Sequence, residues 1–234
     1  MRRLLALVAV VAGVAAVPAH AARECEGLDV CVPVAGPWVV VPSAPQSPRP
    51  GVRYQLTCPR NHVVAGVDAE LSHRAIDVTW AGLPGSPIGP GVSTQRSAIF
   101  TGVFTGARAP AATFRPRIGC IPAAGGGGRI PTSVAAPAAV FPPSAPPTRR
   151  VRTARLRSGT TLTLAQRCAA GERLVEAWHA VGFAGAQPPT AALVAAVRAT
   201  RTVRGGRLVV TARARDLGAR QVFVQAGVTC GDAP

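Results

Sequence analysis

The sequence predicts an all-β protein made of two tandem, disulfide-closed, antiparallel β-sandwich domains. Three observations predict this fold: the glycine and proline content, a repeat of cysteine spacing, and the alternation of apolar residues within the repeat. The 234 residues include 25 glycines and 23 prolines. Both residue types weaken the interior of a helix, so this content disfavours long helices and favours short strands joined by turns. A hydrophobic fraction of 48% against 15% charged residues suffices for a packed core and argues against a disordered chain.

The repeat is defined by four cysteines. Cys58 and Cys120 lie 62 positions apart, and so do Cys168 and Cys230, at an offset of 110 (from 58 to 168). Apolar residues coincide at the same offset in the pairs Val52 and Leu162, Tyr54 and Leu164, Val64 and Leu174, Leu71 and Val181, Phe100 and Val210, Phe114 and Val224, and Ile118 and Val228. These positions alternate as in half-buried strands, so we predict two copies of one domain.

The N-terminal segment 1–21 is predicted to be a signal peptide. Arg2 and Arg3 precede the apolar run Leu4–Val17, and Ala19-His20-Ala21 places small residues at the −3 and −1 positions of a cleavage site. An uncleaved membrane anchor is the alternative, but the run is shorter than the ~20 residues that span a bilayer. We therefore expect a mature chain without a transmembrane segment, secreted or extracytoplasmic and associated with the cell envelope.

The remaining chain divides into four predicted segments. Residues 22–49 form an N-terminal disulfide loop and a proline-rich connector, 50–122 the first copy, 123–147 a Gly/Pro/Ala-rich linker, and 148–234 the second copy. An even number of cysteines in an exported chain indicates disulfides. The equal spans predict Cys58–Cys120 and Cys168–Cys230, which leaves Cys25–Cys31. A metal site is disfavoured because no Cys-x-x-Cys occurs.

Each copy is predicted to contain five strands. In the first copy these are Val52–Cys58, Val63–Leu71, Ile76–Trp80, Ser97–Phe104 and Thr113–Ile121; in the second they are Thr160–Cys168, Leu174–Phe183, Val194–Val203, Arg207–Ala214 and Gln221–Cys230. Gly205-Gly206 predicts a two-residue hairpin turn. Residues 191–201 have helix propensity, but the equivalent segment of the first copy contains three prolines, so a strand is predicted there.

Several residues resemble a motif of exported bacterial β-sandwich domains of unassigned function, which open with Cys-Pro-x-Gly-x-x-Val-x-Gly-Gly and close on aliphatic-x-Cys. The matching residues are Cys58-Pro59, Val64, Gly66 and the closing Ile118-Gly119-Cys120. The sequence departs from the motif at Asn61 and Val67, and the second copy keeps Gly171 but has Ala169, Glu176 and Ala177 in place of the proline and two glycines. The resemblance implies a fold and a compartment, and transfers no catalytic residue.

Titratable residues that could support catalysis are few. Asp68 and Glu70 lie two apart on a predicted strand, so their side chains share a face, with His73 and Asp77 nearby. Such a cluster could ligate a metal or act as an acid and base pair, but the polar, solvated face of an amphipathic strand is the preferred explanation, since the second copy has Trp178 and Ala180 in place of the two carboxylates. No Gly-x-Ser-x-Gly, His-Glu-x-x-His or phosphate-binding glycine loop occurs, so no cofactor is predicted.

The net positive charge says more about function than the few acidic residues and histidines do. All 26 basic residues are arginine, against 10 acidic residues, for a formal net charge of +16. Two groups of arginines are concentrated in the second copy: Arg149, Arg150, Arg152, Arg155 and Arg157, then Arg198, Arg201, Arg204, Arg207, Arg213 and Arg215. Arginine binds phosphate and carboxylate in bidentate fashion. An exported chain without interleaved aromatic residues or a reading helix is a poor nucleic-acid binder.

The sequence therefore predicts a non-catalytic exported protein that associates with an anionic envelope polymer, lipid headgroups or an extracellular polyanion through its arginine-rich faces. A solvated surface that keeps the protein soluble is the simpler explanation of the same charge. An enzyme using Asp68, Glu70, His73 and Asp77 is one alternative function. An inhibitor or receptor-binding module that displays the Cys25–Cys31 loop is another.

Overall fold

The computed structural model describes residues 24–28, 30–43, 48–82, 95–123 and 147–232. These residues form thirteen strands and one short helix: β1 (Val32–Ala35), β2 (Trp38–Val40), β3 (Gly51–Thr57), β4 (His62–Leu71), β5 (Ile76–Ala81), β6 (Ser97–Phe104), β7 (Thr113–Pro122), β8 (Thr148–Leu156), β9 (Thr161–Arg167), β10 (Glu172–Phe183), α1 (Ala191–Ala195), β11 (Val197–Arg204), β12 (Arg207–Ala214) and β13 (Val222–Asp232). Every strand pair among them is antiparallel, which confirms the predicted all-β class. The predicted signal peptide and nearly all of the predicted linker lie outside the described residues.

The described strands form one seven-stranded sheet and two three-stranded sheets. Across the large sheet the order is β4, β7, β1 with β2, β10, β13 and β8, because β1 and β2 follow each other along the same side of β7. The small sheets have the orders β3–β6–β5 and β9–β12–β11. Each small sheet packs its apolar face on the large sheet and encloses one hydrophobic core, so the fold is sandwich-like.

The sequence repeat corresponds to equivalent strands. At the offset of 110, β3 coincides with β9 and β6 with β12 from end to end, while β4 and β7 fall within β10 and β13. The two small sheets also place equivalent strands in the same order. Apolar alternation was sufficient to place these strands because each has one face in a core and one face outside it.

The first copy begins earlier in the chain than the sequence predicts. Residues 32–40 lie in the segment predicted as a connector, but they form β1 and β2 alongside the closing strand β7. In the second copy β8 occupies the same place beside β13: Val32 pairs with Cys120, and Thr148 pairs with Cys230. Gly36 and Pro37 interrupt the first of these edge strands, which hides its apolar periodicity in the sequence.

The strand predicted over Val194–Val203 is wrong at its start. Residues 191–195 form the helix α1, whose N-cap Thr190 accepts a hydrogen bond at its hydroxyl from the Leu193 backbone N–H (3.3 Å), and β11 begins only at Val197. The prediction rejected a helix because it compared residues 191–201, at the offset of 110, with a proline-containing segment of the first copy. In the structure Ile76 pairs with Phe104 and Val197 pairs with Ala214, so here the offset is 121 (from 76 to 197). The second copy inserts its additional residues before this strand, where they form α1.

The two small sheets lie on opposite faces of the large sheet. Side chains of successive strand residues point to opposite faces. In β2, Val39 belongs to the first core while Val40 packs against the second. In β10, Ala180 belongs to the first core, whereas Val181 and Phe183 contact the second. The large sheet therefore contributes one face to each core.

The large sheet is continuous across the two copies because β2 pairs with β7 on one side and with β10 on the other. Val39 lies opposite Gly182, and Trp38 lies opposite Phe183. Gly182 has no room for a side chain, since a Cβ there would lie 2.5 Å from Cγ of Pro37. Backbone hydrogen bonds and close packing thus join the copies within one sheet.

The three predicted disulfides are present. Cys58–Cys120 and Cys168–Cys230 occupy equivalent positions, with Cα–Cα distances of 5.7 and 5.6 Å, and Cys25–Cys31 closes the N-terminal loop. Each of the two long-range bridges connects the turn after the first strand of a small sheet to the closing strand of the large sheet. A disulfide that closes a loop of this length stabilises a fold by roughly 4 kcal/mol, because it restricts the unfolded chain.

Candidate functional site

In the described structure, the four residues considered for an alternative enzymatic function do not bring three or more ligand atoms within 4.8 Å of one another. Glu70 forms ion pairs with Arg117 and Arg115. The His73 ring accepts a hydrogen bond at Nδ1 from the Ala75 backbone N–H (3.0 Å) and packs edge-on against a phenylalanine ring. Asp68 accepts a hydrogen bond from the following backbone N–H (2.7 Å), and Asp77 is exposed on β5.

A potential metal ligand set appears at one place in the described part of the chain. Ligand atoms of Cys168, Glu172 and Cys230 come within 4.8 Å of one another. Because the two cysteines are joined in a disulfide, their sulfurs are not available as thiolate ligands. This group therefore does not form a metal centre.

The N-terminal loop is fixed to the large sheet by a buried carboxylate. Glu24 is 3% exposed; its Oε1 accepts a hydrogen bond from Nε of Arg117 at 2.9 Å and lies 2.9 Å from Nη2 of the same guanidinium in an ion pair. Burial lowers the pKa of the Arg117 guanidinium, but hydrogen bonds to Glu24 and Glu70 outweigh burial and leave the pKa raised. This network holds the Cys25–Cys31 loop against β4 and β7.

The first predicted arginine group is divided between the two faces of β8. Arg149 is partly buried, and burial, followed by the nearby charge of Arg53, lowers its pKa. Arg150 forms an ion pair with Glu172, and its hydrogen bonds are the main cause that lowers the pKa of this carboxyl to about 2. Arg152, Arg155 and Arg157 are exposed. The group therefore does not form one continuous basic surface.

The second predicted arginine group lies on the hairpin of β11 and β12, and strand alternation divides it as well. Arg201 points toward the large sheet and donates a hydrogen bond from Nη1 to the Ala177 carbonyl (2.8 Å). Arg198 and Arg204 lie on the opposite, outer face of the hairpin. There they are directly opposite Arg213 and Arg207, respectively.

The outer face of the small sheet β9–β12–β11 is a regular array of arginine and threonine. We name it the arginine–threonine face; its twelve residues, in strand register, are Arg198, Arg213 and Thr161; Thr200, Thr211 and Thr163; Thr202, Val209 and Ala165; and Arg204, Arg207 and Arg167. Ten of the twelve are exposed, with Val209 and Ala165 half-buried. We call Arg198 with Arg213 the first arginine row, and Arg204, Arg207 and Arg167 the second arginine row.

The electrostatics of this face are unbalanced. None of its twelve residues is acidic. Within the described ranges, no carboxylate forms an ion pair with the five arginines of the two rows. Like charges directly opposite on neighbouring strands are destabilising by roughly 0.2–1 kcal/mol per pair. We therefore expect the two arginine rows to lower the stability of the free protein.

Two surface depressions lie at the ends of the face. One, of about 600 Å³, is lined by Arg198, Arg213 and Arg215 together with Thr200 and Thr211. The other, of about 360 Å³, is lined by Arg167 and Arg207. Each arginine row thus borders a concave surface able to receive an anionic group.

The equivalent face of the first copy lacks these properties. At the offset of 110, Thr57, Ser97 and Val103 stand where the second copy has Arg167, Arg207 and Arg213. The arginine on this surface of the first copy, Arg53, is paired with Glu176. The second copy alone presents unpaired arginine rows among the described residues, and the first copy provides an internal control.

Sequence reasoning identified Arg198, Arg204, Arg207 and Arg213 but missed Arg167 and the threonines. The sequence did contain a signal for this face. Arginine and threonine alternate with other residues in 198–204 (Arg-x-Thr-x-Thr-x-Arg), and 207–213 has the related pattern Arg-x-Val-x-Thr-x-Arg. A two-residue turn at Gly205-Gly206 fixes the register of these two strands. Placing β9 beside β12, and hence Arg167 beside Arg207, required the tertiary structure.

Comparison with protein-family models, with curated proteins and with solved structures finds no significant match to this chain. The resemblance to exported β-sandwich domains therefore stays a prediction from its motif. No helix in the described part of the chain is long and apolar enough to cross a bilayer.

Proposed function

We propose that this protein is a non-enzymatic, exported binder of polyanions, and that it associates with an anionic cell-envelope surface or an extracellular polyanion through the arginine–threonine face. One observation carries the proposal: the five arginines of the two rows lie directly beside one another in strand register without a carboxylate partner in the described structure. A bound polyanion neutralises this repulsion, so the charge that destabilises the free protein stabilises the complex.

The same proposal includes the finer architecture and the compartment. Two tandem sandwich copies, closed by equivalent disulfides, support one small sheet whose basic face is exposed. Three disulfides are typical of an oxidising, extracytoplasmic compartment. Anionic polymers and lipids of the envelope are the polyanions that a protein meets there.

The test compares two variants with equal loss of charge. R167Q/R204Q/R207Q removes the second arginine row, and R60Q/R74Q/R108Q removes three exposed arginines of the first copy that make no side-chain bond in the described structure. Binding of labelled polyphosphate is measured by fluorescence anisotropy at several salt concentrations. Both variants lose three charges, so only location distinguishes them.

We expect R167Q/R204Q/R207Q to bind polyphosphate at least tenfold more weakly than the wild type at low salt. A plot of log affinity against log salt concentration should also have a slope that is shallower by roughly 2, because each neutralised phosphate contributes ~0.7–0.9 to that slope. The control should bind nearly as the wild type does. Equal weakening of both variants would show that net charge alone, rather than this face, determines binding. Absence of polyphosphate binding at low salt would overturn the proposal.

A further inference from the structure

The geometry points to the class of polyanion: we propose that the arginine–threonine face binds one linear, hydroxyl-bearing anionic polymer, which lies along the strands and contacts both arginine rows at once. This inference rests on the proposed function and adds the shape, the direction and the chemistry of the ligand. It concerns the second copy alone, because the equivalent face of the first copy has no such rows.

The separation of the rows selects an extended ligand. Arg198 and Arg204 are six residues apart on β11, and Arg207 and Arg213 are six apart on β12. At ~3.4 Å per strand residue the rows are about 20 Å apart, whereas the three strands of the face span only about 10 Å. A chain lying across the strands meets one row. A chain lying along them meets both, and the second contact is then intramolecular, which raises affinity without any new type of contact.

The surface between the rows selects for hydroxyl groups. The middle of the face carries Thr200, Thr211 and Thr163 in direct register, which we call the threonine row, with Thr202 beside them. Each threonine hydroxyl can donate one hydrogen bond and accept others. The hydroxyl of Thr200 lies 3.5 Å from the Thr211 carbonyl, at the outer limit of a hydrogen bond, and all three side chains are exposed. They are placed to bind uncharged hydroxyls between the anionic groups of a polyol or sugar polymer.

A lipid bilayer fits this face less well than a polymer does. Proteins that hold to a membrane surface by inserting side chains use exposed Trp, Phe or Leu. The twelve residues of the face include no aromatic residue and no leucine, and their largest apolar member, Val209, is half-buried. Attraction to a bilayer would then depend on charge alone and would not require two rows at a fixed separation.

The first experiment tests whether one chain bridges the rows. Oligoglutamates of three and nine residues span about 10 and 30 Å when extended, at ~3.3–3.6 Å per residue, so only the longer one reaches both rows. Affinities are measured by calorimetry at low salt for the wild type, for R198Q/R213Q and for the control R60Q/R74Q. We expect the nonamer to bind the wild type at least thirtyfold more tightly than the trimer. That ratio should fall below fivefold in R198Q/R213Q and stay unchanged in the control.

The second experiment tests the threonine row. T163V/T200V/T211V replaces three hydroxyls with methyl groups of similar shape. We expect this variant to bind polygalacturonate severalfold more weakly than the wild type and polyglutamate equally well, because only the first polymer carries hydroxyls along its chain. An equal effect on both polymers would overturn the assignment of a hydroxyl-bearing ligand.

The outcomes separate this inference from the proposed function. If trimer and nonamer bind the wild type with a ratio below fivefold, bridging is wrong while polyanion binding stands. If, in addition, phosphatidylglycerol vesicles bind more tightly than the nonamer, the partner is a membrane surface and the polymer assignment is overturned. If neither peptide nor polyphosphate binds, the proposed function fails as well.

Discussion

The side-chain amide of Gln225 completes the hydrogen bonding of Gln55 at the open edge of β3. Its Oε1 accepts a hydrogen bond from the Gln55 backbone N–H at 2.7 Å, and its Nε2 donates one to the Gln55 carbonyl at 3.0 Å. Nε2 also donates to the hydroxyl of Thr153 at 2.9 Å, and Gln225 is 2% exposed. One side chain from β13 therefore takes the place of a neighbouring strand and ties the small sheet of the first copy to the second copy.

Replacing Gln225, which is itself buried, with leucine should destabilise the protein by roughly 1–3 kcal/mol, because the half-buried backbone N–H and carbonyl of Gln55 lose their hydrogen-bond partner. The measurement is urea denaturation of Q225L. The exposed Gln221 gives the control, and Q221L should change the free energy of unfolding by less than ~0.5 kcal/mol. Equal effects of the two substitutions would contradict a structural role for the amide pair.

A second prediction concerns the packing of the N-terminal loop. A Cβ at Gly66 would lie 1.9 Å from the Glu24 carbonyl oxygen, and the partner position Gly119 is equally crowded at 2.0 Å. Because the obstacle is backbone, Gly66→Ala should force the loop away from the sheet and destabilise the protein by about 1–3 kcal/mol.

Gly51→Ala is the matched control for this substitution, since its new Cβ would meet a valine methyl group at 3.4 Å. We expect that variant to be neutral, or slightly more stable because alanine restricts the unfolded chain. Both variants are measured by chemical denaturation. A tolerated G66A would mean that the loop docks differently.

A third prediction concerns alkaline stability. Burial raises the pKa of Tyr54 to about 12 from an ordinary value near 10. Below pH 10 the phenol is neutral in the folded and in the unfolded protein, so it does not make the free energy of unfolding depend on pH. Between pH 10 and 12 the phenol ionises in the unfolded chain but not in the folded protein, so stability falls, in total by roughly 3 kcal/mol.

The variant Y54F should lack this part of the alkaline loss, because phenylalanine cannot ionise. The chain contains one tyrosine and no lysine, so phenolate absorbance reports Tyr54 alone and should titrate near pH 12 in the folded protein. A phenolate transition near pH 10 without unfolding would contradict burial of this side chain.

The parts of the structure that the sequence predicted are those with local signals. Strands β6 and β12 were placed to the residue because apolar alternation and the Gly205-Gly206 turn mark them. Strands β1 and β2 were missed because Gly36 and Pro37 break their period. The surroundings of the alternative site at Glu70 could not be predicted, because sequence spacing does not show that Glu70 lies opposite Arg115 and beside Arg117. Pairings between distant strands decide such contacts.

The last prediction links the cost of the arginine–threonine face to its use. Arg207 lies on the central strand of that sheet, with Arg204 directly opposite on one side and Arg167 on the other. Arg207→Thr removes both like-charge pairs and introduces a good strand former, so it should stabilise the protein by roughly 0.4–2 kcal/mol at low salt.

This gain should shrink as salt rises, since the Debye length falls from about 30 Å at 0.01 M to about 3 Å at 1 M. The control R60T changes an exposed arginine outside the face and should leave the melting temperature almost unchanged. Saturating polyphosphate should reverse the order of stability, because a ligand that binds the folded state through Arg207 stabilises the wild type more than R207T. If R207T melts below the wild type in low salt without polyanion, the arginines of the second row contribute to folding, and their unpaired charge no longer indicates a binding site.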